Sequence, residues 1–249
     1  MKTYSDDFYS VMENGSLESA RVIVPLLVSR YNPRSVADIG CGTGSFANEF
    51  LKMGIEDVVG YEGKWMERVP TLLPKGKFIF TDITKPMTVS RSYDLCICLE
   101  VAEHLDAKDA PALIDLLTSL STRIVFSAAI PGQGGNHHVN EQWPIYWSRL
   151  FTEKGFYLEW DPRLDLWNDG NVASCYRQNL LIFSSEVENR VFDPLPLVHP
   201  EAWTDAMRVR KIPLKIILAR KLPPSIFRLR RKLLDLAGRL QFARRKSTS

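Results

Sequence analysis

The sequence predicts an α/β protein whose core is a parallel sheet covered by helices on both faces. Three observations carry that prediction. Strand-like and helix-like stretches alternate over the first 200 residues. The strand-like stretches are short runs centred on consecutive apolar residues, the pattern of strands buried on both faces. A glycine-rich turn joins the first of them directly to a helix.

The elements follow in chain order. Ser16–Arg30 has apolar residues at helical spacing. Ser35–Gly40 (SVADIG) is a short apolar run ending in glycine, a buried strand, and Gly44–Met53 reads as the helix leaving that glycine turn. Asp57–Tyr61, Lys77–Phe80 and Tyr93–Leu99 read as the second, third and fourth strands, Lys108–Leu120 as a helix, and Thr122–Ala128 as the fifth strand. Beyond Ala129 the pattern changes to Ile130–Trp147 (IPGQGGNHHVNEQWPIYW), rich in Gly, Pro, Asn, His and Trp. This segment follows the fifth strand, so it is expected over the carboxyl ends of the sheet, where open α/β folds bind ligands. Trp147–Lys154 returns as a helix, and Phe156–Trp160 and Tyr176–Phe183 read as the last two strands.

At 249 residues, 45% hydrophobic and 24% charged, the chain is long and apolar enough for one sizeable core, which excludes a disordered, collagen-like or coiled-coil protein. No apolar stretch is long enough to span a bilayer, and residues 1–7 lack the apolar core of a signal peptide. The expected compartment is the cytoplasm, with a peripheral place at a membrane surface as the variant. None of the four cysteines forms a C-x-x-C pair. Cys96 and Cys98, two apart in a strand, are expected on one buried face.

Charge is strongly asymmetric. From Met207 onward the chain carries 14 of its 32 Lys and Arg but only one of its 29 acids, Asp235. The body is therefore acidic and the end basic. Residues 1–192 read as the domain, 193–206 (with DPLPLVHP) as a Pro-rich linker, and 207–249 as a basic amphipathic segment. In that last segment Ile226, Leu229, Leu233, Leu236 and Leu240 recur at steps of three and four among arginines. Such a helix packs on its own domain or on a second copy in a homodimer, lies on an anionic membrane or acidic partner, or holds nucleic acid, the third of these readings.

The most specific feature is the run VADIGCGTG, residues 36–44. Glycines at 40, 42 and 44 let the backbone turn tightly and approach a ligand closely. Position 45 is serine, so the dinucleotide pattern G-x-G-x-x-G fails at its third glycine and a dehydrogenase reading fails with it. Acids end the following strands. Glu62 can accept both ribose hydroxyls of an adenosine. Asp82, beside Ile83, can accept an adenine amino group, and Asp38 can meet a cationic amino acid group. Acids ending successive parallel strands converge on one crevice.

With VADIGCGTG, the acid of VVGYEG, the acid of FTDI and the strand YDLCICLEVAEHL, residues 16–185 resemble the class I S-adenosylmethionine-dependent methyltransferases. The resemblance implies a Rossmann-like, seven-stranded, mostly parallel sheet with its last strand antiparallel. It implies S-adenosyl-L-methionine as cofactor, with Asp38, Gly40, Cys41, Gly42, Glu62, Asp82, Ile83 and Leu99 as its binding residues. In that arrangement Asp38, Gly40 and Gly42 face the methionine part, Glu62 the ribose, and Asp82 with Ile83 the adenine.

The fourth strand runs into Glu100-Val101-Ala102-Glu103-His104. This E-x-x-E-H motif is similar to one in ubiquinone-biosynthesis and small-RNA O-methyltransferases, where the acids and histidine can hold a divalent cation with a further histidine from beyond the fifth strand. The resemblance thus makes Glu100, Glu103, His104 and His138 candidate ligands for Mg²⁺ or a similar ion, and His104, His137 and His138 candidate catalytic residues. Without a metal, His104 is a general base or simply caps a helix. The amides and indoles of the 132–147 loop suit a hydroxylated acceptor, although Trp143 and Trp147 can equally pack the loop onto the sheet. The reading is O-methylation of a sugar, glycan or other hydroxylated small molecule. The alternatives are RNA 2′-O-methylation with the basic tail holding RNA, and a non-catalytic scaffold docked by that tail.

Overall fold

Residues 6–67, 69–85, 91–187, 193–201 and 203–204 are described in a computed structural model of the full chain; for 6–14 only the backbone is described. Their strands are β1 (Ser35–Ile39), β2 (Asp57–Glu62), β3 (Phe78–Phe80), β4 (Leu95–Leu99), β5 (Arg123–Ser127), β6 (Tyr157–Trp160) and β7 (Leu181–Ser184). They make one sheet in the order β3-β2-β1-β4-β5-β7-β6, with β7 antiparallel to both neighbours and the remaining pairs parallel. This is the Rossmann-like sheet that the resemblance implied. The strand order reverses between β1 and β4, which opens a crevice at their carboxyl ends.

Each face of the sheet buries its own core. On one face, α1 (Asp6–Tyr31) brings Ala20, Ile23, Val24 and Leu27, and α2 (Ser45–Lys52) brings Phe46, Ala47 and Phe50. On the other, α3 (Ala110–Leu120) brings Leu113, Ile114 and Leu117, and α4 (Pro144–Glu153) brings Trp147 and Phe151. Alternate strand residues divide between them. Leu95 and Ile97 of β4 join the first cluster, while Cys96 and Cys98 are wholly buried in the second, on the shared face expected of them. Phe151 stacks on Phe183 at 4.3 Å between ring centroids, which ties α4 to β7.

Two readings need correction. Tyr176–Phe183 is not one strand: α6 (Ser174–Asn179) precedes β7, and the short α5 (Arg163–Leu166) precedes α6. The carbonyl of Ala173 accepts both Tyr176 N and Arg177 N, which closes a helical turn, and the Tyr176 ring packs edge-on against Phe46 at 5.2 Å. The apolar run that makes a strand starts only at Leu180. The first helix starts at Asp6, ten residues before the expected Ser16.

The chain divides after Trp203. Within the first unit, part of the Pro-rich stretch is held against α6. Gln178 Nε2 donates to the Leu197 carbonyl at 2.5 Å, His199 N donates to Gln178 Oε1, and Arg177 pairs with Glu201. The basic amphipathic segment 207–249 lies outside the described residues. No helix among those described is long and apolar enough to cross a membrane.

Candidate active site

The glycine turn follows β1 at the crevice. Gly40, Gly42 and Gly44 have φ of +72°, +56° and +91°, in the left-handed region that glycine adopts without strain. Their surroundings differ. A Cβ on Gly40 would lie 2.4 Å from Val101 Cγ2, so the turns after β1 and β4 meet without room for a side chain. A Cβ on Gly42 would meet nothing within 4 Å. Gly42 is thus where the turn faces open space.

Glu62, at the end of β2, holds this turn. Its Oε2 accepts Gly42 N at 2.8 Å and its Oε1 accepts Gly63 N at 2.7 Å. Burial raises its pKa, and those two amides partly offset the rise. Each oxygen keeps a second lone pair, so the carboxylate can bond a ligand without releasing the loop. Asp38 lies one residue before the turn and is 4% exposed. Burial pushes its pKa up to about 8; the Glu62 charge adds to the rise and a hydrogen bond from the Ala47 backbone opposes it. An unpaired buried acid of this kind lacks a cationic partner.

The remaining cofactor candidates are spread along the same edge. The Cys41 amide, with that of Gly40, bonds the Tyr61 carbonyl. Ile83 is buried, and Leu99 is half-buried at the end of β4. Asp82 is exposed, and its carboxylate already accepts the Thr84 hydroxyl at 2.6 Å and the Lys85 ammonium at 3.2 Å. Those contacts, the hydroxyl first, lower its pKa.

The turn after β4 and the loop after β5 form a second cluster. Glu103 is wholly buried, and neither of its carboxylate oxygens has a hydrogen-bond partner. Its backbone carbonyl accepts Val139 N and Asn140 N, which pins the loop to the turn. One ligand atom each from Glu103, His104 and His138 lie within 4.8 Å of one another. The two imidazoles meet edge to face at 4.9 Å. Burial, and then the nearby Glu100 charge, raise the Glu103 pKa well above the carboxylate range. His104 sits at the rim, and loss of solvation with His138 beside it lowers its pKa to about 4.

Residues 37–118 match the model of a methyltransferase domain. Together with the sheet order and the glycine turn, that match supports an S-adenosylmethionine-dependent methyltransferase domain over this part of the chain. Among solved structures, Streptomyces venezuelae DesVI shares the fold with a TM-score of 0.54 at 14% identity, over 72% of this chain and 95% of that one. The magnesium protoporphyrin IX methyltransferase of Synechocystis, solved with bound S-adenosylhomocysteine, aligns at 20% identity over 68% of this chain and 82% of its own, with a TM-score of 0.46. A bacterial Hen1 methyltransferase domain aligns at 16% identity over 67% and 98%, with a TM-score of 0.48. No curated protein matches the chain.

Other expected residues of the methyltransferase fall differently. Glu100, grouped with the candidate ligands, turns its carboxylate to amides instead: Asn179 Nδ2 at 3.0 Å and Gln133 Nε2 at 3.2 Å. Its own backbone is left-handed, with φ +54°. His137 contributes main chain, which hydrogen-bonds the His104 ring; its own ring is exposed. Trp147 is core, 5.3 Å from Phe126, whereas Trp143 stays 41% exposed above the loop.

Gln133 and Glu141 are the residues that sequence reasoning did not assign to the site. Glu141 had one legible signal, a carboxylate three residues beyond His138. A cavity of about 490 Å³ lies at the opposite end of the sheet, lined by Asn32, Arg34, Asp94 and Arg123 among others, and holds none of the candidate residues.

Proposed function

We propose that this domain transfers the methyl group of S-adenosylmethionine to a hydroxyl oxygen of a sugar, glycan or similar hydroxylated small molecule, at a site where Glu103, His104 and His138 hold a divalent cation. One observation carries the reading. Glu103 is wholly buried, both of its oxygens lack partners, and two imidazoles stand beside it. A buried acid in that state holds its proton, and a cation placed beside it would restore the charged form. One carboxylate oxygen and two imidazole nitrogens, drawn from two loops, make a set that suits Mn²⁺, Co²⁺ or Zn²⁺ better than Mg²⁺, which prefers oxygen.

The residues divide the work. Asp38 meets the amino group of the methionine part, and that ammonium supplies the cation its buried carboxyl lacks. Glu62 takes the ribose hydroxyls on its free lone pairs while keeping Gly42 in place. Gly42 lets the cofactor lie against bare backbone. Ile83 covers the adenine. Asp82 accepts the adenine amino group once Lys85 gives way.

In the transfer, the acceptor oxygen attacks the methyl carbon, the carbon–sulfur bond breaks, and S-adenosylhomocysteine leaves. The domain's task is to align oxygen, carbon and sulfur and to dispose of the hydroxyl proton. The ligand atom of His104 lies within 4.8 Å of those of Glu103 and His138, a grouping that fits a shared ligand better than a lone general base. A divalent cation held by Glu103, His104 and His138 would make the acceptor hydroxyl more acidic, so that its proton could pass to solvent as the methyl group transfers. Trp143 offers the acceptor an aromatic face beside the polar loop.

The test is methyl transfer from labelled S-adenosylmethionine into pooled sugars, catechols and RNA, with and without chelator. Transfer to a hydroxylated small molecule that stops with chelator and returns with Mn²⁺ or Co²⁺ supports the reading. Transfer indifferent to chelator removes the cation, and label in RNA alone removes the small-molecule acceptor. His104→Ala should retain S-adenosylhomocysteine binding and lose at least about 100-fold in turnover; undiminished turnover would remove His104 from the site.

A further inference from the structure

His138 stands between two carboxylates, and its two ring nitrogens face different ones. Nδ1 lies 3.1 Å from Glu141 Oε1, within hydrogen-bond distance. Nε2 lies 4.0 Å from Glu103 Oε1, beyond it. Glu141 is itself fixed. Its Oε2 accepts Gly132 N at 2.7 Å and its Oε1 accepts Gly134 N at 2.8 Å. The loop reaches that geometry through left-handed backbone at Gly132, Gly134 and His137, with φ of +87°, +73° and +61°. Two backbone amides and one imidazole nitrogen thus converge on one partly buried carboxylate.

We propose that Glu141 is the positioning residue of this site. It fixes the His138 ring in the tautomer with the proton on Nδ1 and aims the Nε2 lone pair at Glu103 and His104. The physical reason is direct. An ionised carboxylate only accepts hydrogen bonds, so the nitrogen facing it carries the proton and the other carries the lone pair. A ligand histidine works when its far nitrogen is held in this way, which orients the ring and raises its basicity.

Gly135 supplies an independent observation. A Cβ at that position would lie 2.2 Å from His138 Nε2. No left-handed backbone accounts for this glycine, unlike Gly132 and Gly134. What it does is leave room for the ring, three of whose atoms a Cβ would meet within 2.7 Å. Glu141 and Gly135 therefore act on opposite sides of one ring, one bonding Nδ1 and the other admitting the edge that carries Nε2.

The proposal deepens the reading of the Glu103, His104 and His138 cluster and rests on it for its purpose, so the test needs a readout independent of metal and turnover. The full chain is labelled with ¹⁵N-histidine and its imidazole nitrogens are observed near pH 8 in chelator, with a His138→Gln variant to assign the ring. The expected result is a neutral Nδ1–H tautomer for His138 in the parent chain, lost or mixed in Glu141→Ala. It should be largely kept in Glu141→Gln, whose amide oxygen still accepts from Nδ1. An Nε2–H tautomer in the parent, or the same Nδ1–H tautomer in Glu141→Ala, overturns the proposal.

Co²⁺ titration of the same proteins, followed by visible absorption, is the second readout. Loss of a histidine's carboxylate partner lowers metal affinity by about 10- to 100-fold. Glu141→Ala should fall in that range and Glu141→Gln between it and the parent. Gly135→Ala, whose Cβ must displace the His138 ring, should bind Co²⁺ poorly. Equal Co²⁺ affinity in parent and Glu141→Ala overturns the proposal. A parent that takes up no Co²⁺ defeats the metal reading alone, since the tautomer measurement still decides whether Glu141 sets the ring.

Discussion

Replacing Asp38 with asparagine should make the ligand-free domain more stable and a poorer enzyme. Asp38 is buried in the cofactor crevice with one backbone donor, from Ala47, and the Glu62 carboxylate as its nearest charge. Its pKa rises from the ordinary 3.8 to about 8, first because burial removes solvent from the charged form. The sign follows from proton counting. Between pH 4 and 8 the folded chain holds a proton that the unfolded chain has released, so folding stability from this group falls as pH rises through that window. Each tenfold change in proton affinity is worth about 1.4 kcal/mol, so the loss reaches about 3 kcal/mol by pH 6 and about 6 kcal/mol once pH passes 8. Asparagine has nearly the same shape and no charge to desolvate. Urea denaturation of both proteins at pH 5, 6.5 and 8 should therefore show a stability advantage of Asp38→Asn that grows by several kcal/mol with pH. Calorimetry at pH 8 should show S-adenosylhomocysteine binding weakened by about 10- to 100-fold, because an ammonium–carboxylate hydrogen bond is gone. Parallel pH profiles in the two proteins would refute the reasoning, since the buried charge would then not be felt.

Glu62→Ala leaves the amides of Gly42 and Gly63 without their acceptor, at about 1–3 kcal/mol each, and should weaken S-adenosylhomocysteine binding at least about tenfold by calorimetry; unchanged affinity would remove Glu62 from the ribose. Gly40→Ala and Gly42→Ala should separate folding from binding. The first drives a Cβ into Val101 and lowers the melting temperature. The second meets only backbone strain of about 1 kcal/mol, stays folded, and abolishes cofactor binding. A Gly42→Ala protein that binds S-adenosylhomocysteine normally would place the cofactor elsewhere.

The sequence by itself determined the sheet and the glycine turn. A run such as LCICL is legible because a strand buried on both faces has few polar positions to tolerate, and the glycines at 40, 42 and 44 are legible because few other residues adopt that backbone. The same local logic located Asp38 and Glu62, since a strand's last residues fall at the crevice wherever the strand itself lies. It failed at Tyr176–Asn179, where the polar Arg177, Gln178 and Asn179 continue a helical turn that Tyr176 packs on Phe46, instead of extending the strand that starts after them. Only the tertiary structure decided how the E-x-x-E-H acids divide. Glu100 and Glu103 are three residues apart and chemically alike, yet one is held by Asn179 from α6 and Gln133 from the loop, and the other is buried without a partner beside two histidines. A carboxylate's role depends on what is packed against it. Asn179 and Gln133 come from segments about 30 to 80 residues away, and no spacing along the chain records them.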